Sequence, residues 1–445
     1  MLLFFTRLAS LFRHAAMPRQ GLRAGTLLLL TITGVEAAHA TPVIEEIRIS
    51  GNETTRPRII LQEMVVRVGD PVDPVLIEKS RQAIMDLGLF KSVEALLKPG
   101  QKGQILEIRV TEKYYFFPIP KLKRSPEGEV SYGAQIRFDN LAGLNQRLKL
   151  TYQTERDCCT LAGNRNSTSL DYEYPRFRGS HYDLSLGLGY STNPADVSEN
   201  DVILSEFEEL NEKANIKVRT WLDRTGPSSG WSISGGWFWN NRRYDYVSGL
   251  PGTDEPGHAA GLTFNISNYA VHDYLFSRGG SEYGYELQLA LERLGSDSGY
   301  SLNRFYYRRY WPVGQRMHQN LNFQLEAGFS NGTLVFGDYA FALGGADDLR
   351  GHEKNSIEGN SFFTFNVEYL TPLFDQNAFR GVIFADIGNA YPDNRIIDPG
   401  DIEAGLGLGF RIKLKSFVNV QIRADIAIDP ATSERKTYIG TKNTF

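Results

Sequence analysis

Val418-Asn419-Val420-Gln421-Ile422-Arg423-Ala424-Asp425-Ile426 alternates without a break, apolar at every even position and polar at every odd one. An extended strand puts such a set on two opposite faces, one apolar and one charged. The same period runs through Val130, Tyr132, Ala134, Ile136 and Phe138, interleaved with Ser131, Gly133, Gln135, Arg137 and Asp139. It recurs in Ile216–Asp223 and in Phe363–Tyr369. A single strand of this kind fits a soluble sandwich equally well. Here the pattern persists from Gly128 to the end of the chain at about twenty residues per strand and turn, and never returns to a helical period. Hydrocarbon accepts apolar side chains on the outer face, while a watery interior accepts the polar ones. The expected fold class is therefore a transmembrane β-barrel. Its sixteen antiparallel strands are expected to start near residues 128, 146, 166, 181, 212, 231, 258, 282, 301, 319, 335, 361, 380, 402, 417 and 436.

Composition agrees. Aromatic residues make up 12% of the chain, with 22 Tyr and 26 Phe, as the two interfacial girdles of a barrel require. A net charge of -4 provides no basic field, so nucleic acid is excluded as a partner and outer-membrane lipid is the expected surroundings. Cys158 and Cys159 are adjacent, which suits neither a disulfide framework nor a metal site, and they are read as loop residues. His181, His258, His272, His318 and His352 have no nucleophile or phosphate loop beside them. The chain is read as a non-enzyme without cofactor or metal. Gly405, Gly407 and Gly409 alternate along one strand face and suggest a crowded wall.

At the N-terminus, Arg19 and Arg23 precede the apolar run Thr26–Val35, and Ala38-His39-Ala40 has the small-x-small form of a cleavage site. A spanning helix needs about twenty apolar residues, more than this run supplies. Residues 1–40 are expected to be an export signal, with Met17 as an alternative start.

Residues 41–117 read as a compact α+β unit of order β-α-α-β-β. Val43–Ile49 alternates, Arg58–Val66 and Pro74–Phe90 carry apolar residues at helical spacing, and Val93–Leu97 and Ile105–Val110 form a hairpin around Pro99-Gly100-Gln101. Its expected core is Ile47, Ile49, Ile60, Ile77, Ile84, Leu87, Phe90 and Ile108. Residues 118–127, rich in Pro and Lys, read as a protease-sensitive linker, and 128–445 as the barrel.

These features together carry a resemblance. The α+β unit, with Gly69-Asp70-Pro71 between its helices and Leu87-Gly88-Leu89-Phe90 before its second strand, resembles a POTRA (polypeptide-transport-associated) domain. The barrel is similar to the BamA/TamA superfamily of outer-membrane proteins, of the bacterial surface antigen type, at four places. These are Asp139-Asn140-Leu141-Ala142-Gly143, Tyr174-Pro175-Arg176-Phe177, Gly344-Gly345 leading to Leu349-Arg350-Gly351-His352, and Phe384-x-Asp386-x-Gly388. Two departures stand out: one POTRA unit instead of several, and His352 where the family usually has Phe or Tyr. Relatives with two such units use an N-terminal plug helix, for which the segment ahead of the first strand leaves no room.

Three sites follow. Alternation puts Glu368, Asp386 and Arg423 on lumen faces. Gly345 and Gly351 let the backbone beside Arg350 fold tightly. The resemblance implies that Arg350 docks onto Glu368 and Asp386 as a loop lock. The strand Val93, Glu94, Ala95, Leu96, Leu97 is expected at the sheet edge, open to an extended client. The barrel is expected to close where Glu129–Phe138 meets Thr437–Phe445. Val130 and Tyr132 would then face Tyr438, Gly440 and Phe445, in a seam weak enough to open laterally. The resemblance implies a factor that assists insertion, assembly or translocation of client proteins, with unfolded outer-membrane or secreted proteins and periplasmic proteins as partners. The alternative is a passive pore or structural surface barrel that keeps the fold.

Overall fold

The structure, a computed structural model, describes residues 42–441 apart from 125–129, 157–163, 200–201, 225–228, 251–255, 375, 393–397 and 419. The export signal, Cys158-Cys159 and Phe445 lie outside the described residues.

The N-terminal unit contains strands β1 (Ile44–Ser50), β2 (Phe90–Pro99) and β3 (Gln104–Glu112) and helices α1 (Pro57–Leu61) and α2 (Pro74–Asp86). The sheet order is β1-β3-β2, with β1 parallel and β2 antiparallel to β3. Helix α2 starts on Asp73, whose carboxylate accepts from the Val75 amide at 2.7 Å, with Pro74 in the first turn. Helix α1 is shorter than the expected Arg58–Val66. Ser80 Oγ accepts from the amides of Val65 and Val66 at 3.0 and 3.1 Å, drawing the chain off the helix so that Met64 and Val66 enter the core. Ile60, Ile77, Ile84, Phe90 and Ile108 are buried as expected, with Ile47, Ile49 and Leu87 packed half-buried around them. Val418 from the other end of the chain joins the same core.

The barrel strands are β4 (Phe116–Arg124), β5 (Val130–Leu141), β6 (Gln146–Arg156), β7 (Asn164–Tyr174), β8 (Tyr182–Glu199), β9 (Val202–Trp221), β10 (Ser229–Gly249) and β11 (Gly257–Asp273). Then come β12 (Arg278–Ala290), β13 (Tyr300–Pro312), β14 (Asn320–Gly332), β17 (Ser361–Leu373), β18 (Gln376–Tyr391), β19 (Glu403–Lys413), β20 (Gln421–Ile428) and β21 (Arg435–Gly440). Each pairs antiparallel with the next in one sixteen-stranded sheet, as expected, but two of the members differ.

First, the described part of the expected 118–127 linker is a strand, joined by the last two residues assigned from the sequence to the N-terminal unit. Together they form β4, paired with β5 from Phe116↔Phe138 to Arg124↔Val130. Pro118 and Pro120 disguised this strand, because proline removes a ladder donor and is admitted only on an edge. Second, the strand expected near residue 335 is absent from the barrel. There β15 (Phe341–Leu343) and β16 (Ile357–Gly359) make a separate two-stranded sheet at the root of an inward-folded loop. The two differences cancel in the count. They also move the seam: Val130 and Tyr132 belong to the second strand, and the strands that face each other are β4 and β21.

The N-terminal unit is seated on the rim formed by the turns nearest it in space. Glu63, almost fully buried, receives the Arg176 guanidinium two-pronged at 2.8 and 3.1 Å. The Arg56 amide donates to the Gly143 carbonyl at 3.0 Å, and Asn140 Nδ2 donates to Thr55 Oγ1 at 2.8 Å. Asp86 accepts from the Asp273 amide at 3.0 Å and pairs with His272 at 2.8 Å. Lys113, between β3 and β4, donates to the Gly88 carbonyl at 2.8 Å, and burial lowers its ammonium pKa below the ordinary lysine value.

Candidate functional site

Residues Gly344–Ser356 fold back into the barrel. Gly345 and Gly351 have φ of +102° and +104°, a left-handed backbone that only glycine adopts without strain. Between them, Arg350 is entirely buried. Its Nε and Nη2 donate to the two oxygens of Asp386 at 2.6 and 2.8 Å, its Nη1 donates to Glu368 at 2.7 Å, and its amide reaches Asp386 at 3.2 Å. The guanidinium lies over the Phe384 ring, 3.5 Å from its centroid. The structure therefore brings Arg350, Gly351, Glu368 and Asp386 together in the planar, two-pronged arrangement that a guanidinium favours.

The network extends beyond those four residues. Arg411 on β19 donates to the same Glu368 oxygen at 2.7 Å and to Asp425 on β20. Arg423 reaches the Ala346 carbonyl of the loop. Asn366 donates to Asp386 at 2.9 Å. Three cations (Arg350, Arg411, Arg423) thus meet three carboxylates (Glu368, Asp386, Asp425), and such a cluster is tolerable in a buried setting only because it is balanced and hydrogen-bonded. Of these six, sequence reasoning had placed Arg423 on the lumen face without a role and had missed Arg411 and Asp425. The alternation that exposed Glu368 and Asp386 identifies Asp425 equally, and Arg411 follows from the parity of β19.

Glycine face and loop fit each other. A side chain at Gly405 would land on the Arg350 carbonyl oxygen, and one at Gly409 on the Asp425 carboxylate. The crowded wall read from Gly405, Gly407 and Gly409 is the bed of the loop. His352 has its Nε2 at 3.0 Å from the Ala404 carbonyl. The last strand holds the loop as well: the Gly351 amide donates to Tyr438 Oη at 3.0 Å, and that hydroxyl donates to the His352 carbonyl at 3.2 Å.

At the seam, Tyr438 and Gly440 lie on β21 and line a cavity of about 190 Å³ together with Pro120 and Lys121 of β4. Among the described residues no ladder joins β4 to β21. The two ends of the sheet are tied at the rim instead, where the Tyr114 amide donates to the Ser416 carbonyl at 2.7 Å and Phe417 packs on Tyr114 and Phe117. The strand Val93–Leu97 lies within β2, at the edge of its sheet as expected, with Val93 buried and Leu96 and Leu97 exposed.

A sixteen-stranded barrel with one α+β unit on its rim and a loop locked inside defines an outer-membrane β-barrel whose small domain faces the periplasm. Residues 87–438 match the Omp85 superfamily domain, and residues 42–113 match the POTRA family described as a surface antigen variable number repeat. The chain belongs to the Omp85 superfamily. Over 70 residues, 16% of this chain, it is 37% identical to the outer membrane protein assembly factor BamA of Nitratidesulfovibrio vulgaris, of which the match spans 9%. Similar solved structures include BamA from Haemophilus ducreyi lacking POTRA domains 1-3, with TM-score 0.53 and 15% identity, covering 90% of this chain and 84% of that one. CdiB from Escherichia coli gives TM-score 0.64 and 13% identity, covering 90% and 76%. CdiB from Acinetobacter baumannii gives 0.60 and 14%, covering 90% and 73%. These structural likenesses show the fold.

Proposed function

We propose that this protein assists the insertion or translocation of client proteins at the outer membrane, without nucleotide or cofactor. The POTRA domain captures an extended client and the barrel eases it into or across the bilayer. The observation that carries this reading is the seam, where two strands lie side by side over a cavity and no ladder joins them among the described residues. In hydrocarbon an unpaired backbone edge is costly, so a barrel built with one has a use for it. The match to an assembly factor supports the same reading.

The test is reconstitution of the full chain in lipid vesicles with an unfolded outer-membrane barrel as client. Insertion is read as protease protection and heat-modifiable gel mobility. Lys121→Cys with Gly440→Cys, both on the inner face of the seam and lining the same cavity, should cross-link under oxidation, stop insertion, and recover on reduction. Full insertion in the locked state removes lateral opening from the mechanism. Ion conductance with no insertion in either state establishes the passive pore instead.

Client capture has its own test. The Gly100 amide donates to the Gly103 carbonyl, which fixes the hydrogen-bonding parity of the β2–β3 hairpin and turns the Ala95 amide toward the open edge. Ala95→Pro therefore deletes an edge donor and leaves the ladder intact. Binding of unfolded barrel peptides should weaken while the circular dichroism of the chain is unchanged. Unchanged binding in a folded variant rules out edge augmentation.

A further inference from the structure

The periplasmic end of the lumen carries more cations than it pairs. A polar cavity of about 290 Å³ lies there, between the inner faces of β6–β9, β11 and β12 and the Asp86–Gly88 corner of the POTRA domain. Lys217, Arg219 and Arg278 line it. Among the described residues none of the three makes an ion pair, and the Arg219 Nε is buried without a hydrogen-bond partner.

Their natural partners are present but taken. Asp183 stands directly across the β8–β9 ladder from Arg219. Yet one of its oxygens accepts from Trp221 Nε1 and the other from the Arg176 amide, each at 2.8 Å. Asp273 stands across the β11–β12 ladder from Arg278. Its carboxylate is turned instead to Lys413 Nζ at 3.5 Å and to the Leu275 amide at 2.9 Å. The other two carboxylates of the cavity are held as well, Glu173 by Arg147 at 3.0 Å and Asp86 by His272 at 2.8 Å. Lys217 faces only Ser185 and Gly236 across its ladders.

The surplus continues behind the cavity. Arg380 pairs across β18–β19 with Arg411, which pairs across β19–β20 with Arg423, so three arginines stand side by side on the inner wall. Arg411 and Arg423 belong to the loop network. Arg380 is 6% exposed, its Nε has no hydrogen-bond partner, and it lies within electrostatic reach of Arg278 and Lys413. Like charges directly opposite one another destabilise a sheet, and a buried cation without an acceptor costs more still. An anion that joins such a group of cations stabilises the folded chain by binding.

We propose that this cavity binds a small free oxyanion of the phosphate class, with Lys217, Arg219 and Arg278 as its ligands and Arg380 adding positive field from behind. The planar fork of a guanidinium matches two oxygens of such an anion. The charged barrel side chains that line the cavity lie on the inner wall, and the POTRA corner closes it. Bilayer headgroups are therefore not its occupants. The site stands independently of the insertion reading.

The test uses the full chain in detergent micelles at constant ionic strength, with radiolabelled inorganic phosphate in equilibrium dialysis. Saturable binding at a single site is expected, displaced by sulfate and not by chloride. Lys217→Gln/Arg219→Gln should weaken it about tenfold or more, and Arg380→Gln by a smaller factor, since that residue contributes field without contact. Arg48→Gln, on the exposed POTRA surface, controls for general loss of charge and should leave binding unchanged. Gel unfolding gives a second measurement. Phosphate should raise the unfolding temperature of the unsubstituted chain and not that of the double variant. Without phosphate the double variant should be at least as heat-resistant as the unsubstituted chain, because unpaired like charges are gone; this also verifies that it folds. Absence of saturable binding, or equal binding by a folded double variant, overturns the proposal. So does tight binding of a glutamate-rich peptide that the double variant loses while phosphate binds neither protein, because the occupant is then an acidic chain segment.

Discussion

Arg350→Ala should loosen the inward loop, lower the heat resistance of the barrel on gels and reduce insertion activity. The guanidinium is completely buried and holds both oxygens of Asp386, itself completely buried, while sharing Glu368 with Arg411. Removing it leaves Asp386 with the Asn366 side-chain amide and the backbone amide of residue 350 but, among the described residues, without its cation, an uncompensated buried charge that costs about 3–5 kcal/mol. Glu368 suffers less, because Arg411 remains on it at 2.7 Å. Arg350→Lys should rescue only in part, since an ammonium cannot span two carboxylate oxygens in a plane. Asp386→Asn should resemble Arg350→Ala, and the double variant should be less impaired than the sum of the two. The cycle is read as the shift in the gel unfolding temperature for each variant. Additive shifts mean that the two side chains do not interact, and the loop is then held by its other contacts, among them those of Tyr438, Ala404 and Arg423.

Much of this site was legible in the sequence, for a definite reason. A strand has period two, so one apolar row on the outside assigns every intervening residue to the lumen. Glu368 could be placed from Phe363–Tyr369, and Asp386 from the outer row Ile383, Ala385 and Ile387 that interleaves with it, without any contact being known. Arg350 sits on a loop, where periodicity gives no placement. Its position was legible through the flanking glycines and the family resemblance. What stayed hidden was whatever depends on a distant partner. Asp139–Gly143 and Tyr174–Phe177 were recognised as turn motifs of the barrel, yet their work is to seat the POTRA domain. Arg176 meets Glu63 across 113 residues of chain, and nothing local to either residue announces the other. Strand β4 was hidden by a rule correctly applied to the wrong case. Two prolines argue against an interior strand, but this strand has a free edge, and both prolines turn toward it.

Gly405→Val should be as damaging as the loss of Arg350, although it touches no charge. Gly405 pairs with Asp386 across the β18–β19 ladder, so its inward face lies directly under the loop. A side chain there meets the Arg350 carbonyl oxygen, which is backbone and cannot swing aside as a flexible side chain can. Either β19 bows outward, breaking ladder bonds at hydrocarbon depth, or the loop lifts and takes the guanidinium off Asp386. The second response reproduces the Arg350→Ala defect, at about 3–5 kcal/mol, through a neutral substitution. Gly235 provides the control: it also lies within a barrel strand, where an added methyl finds only an ordinary contact with the Thr263 carbonyl. Gly235→Ala should leave gel heat resistance and insertion unchanged. Combining Gly405→Val with Arg350→Ala separates the two responses. If the valine acts by expelling the loop, adding Arg350→Ala worsens the defect little, because the contact is already lost. Full additivity would instead mean that the strand bows while the loop stays docked, and the glycine face would then serve the wall's curvature and not the loop.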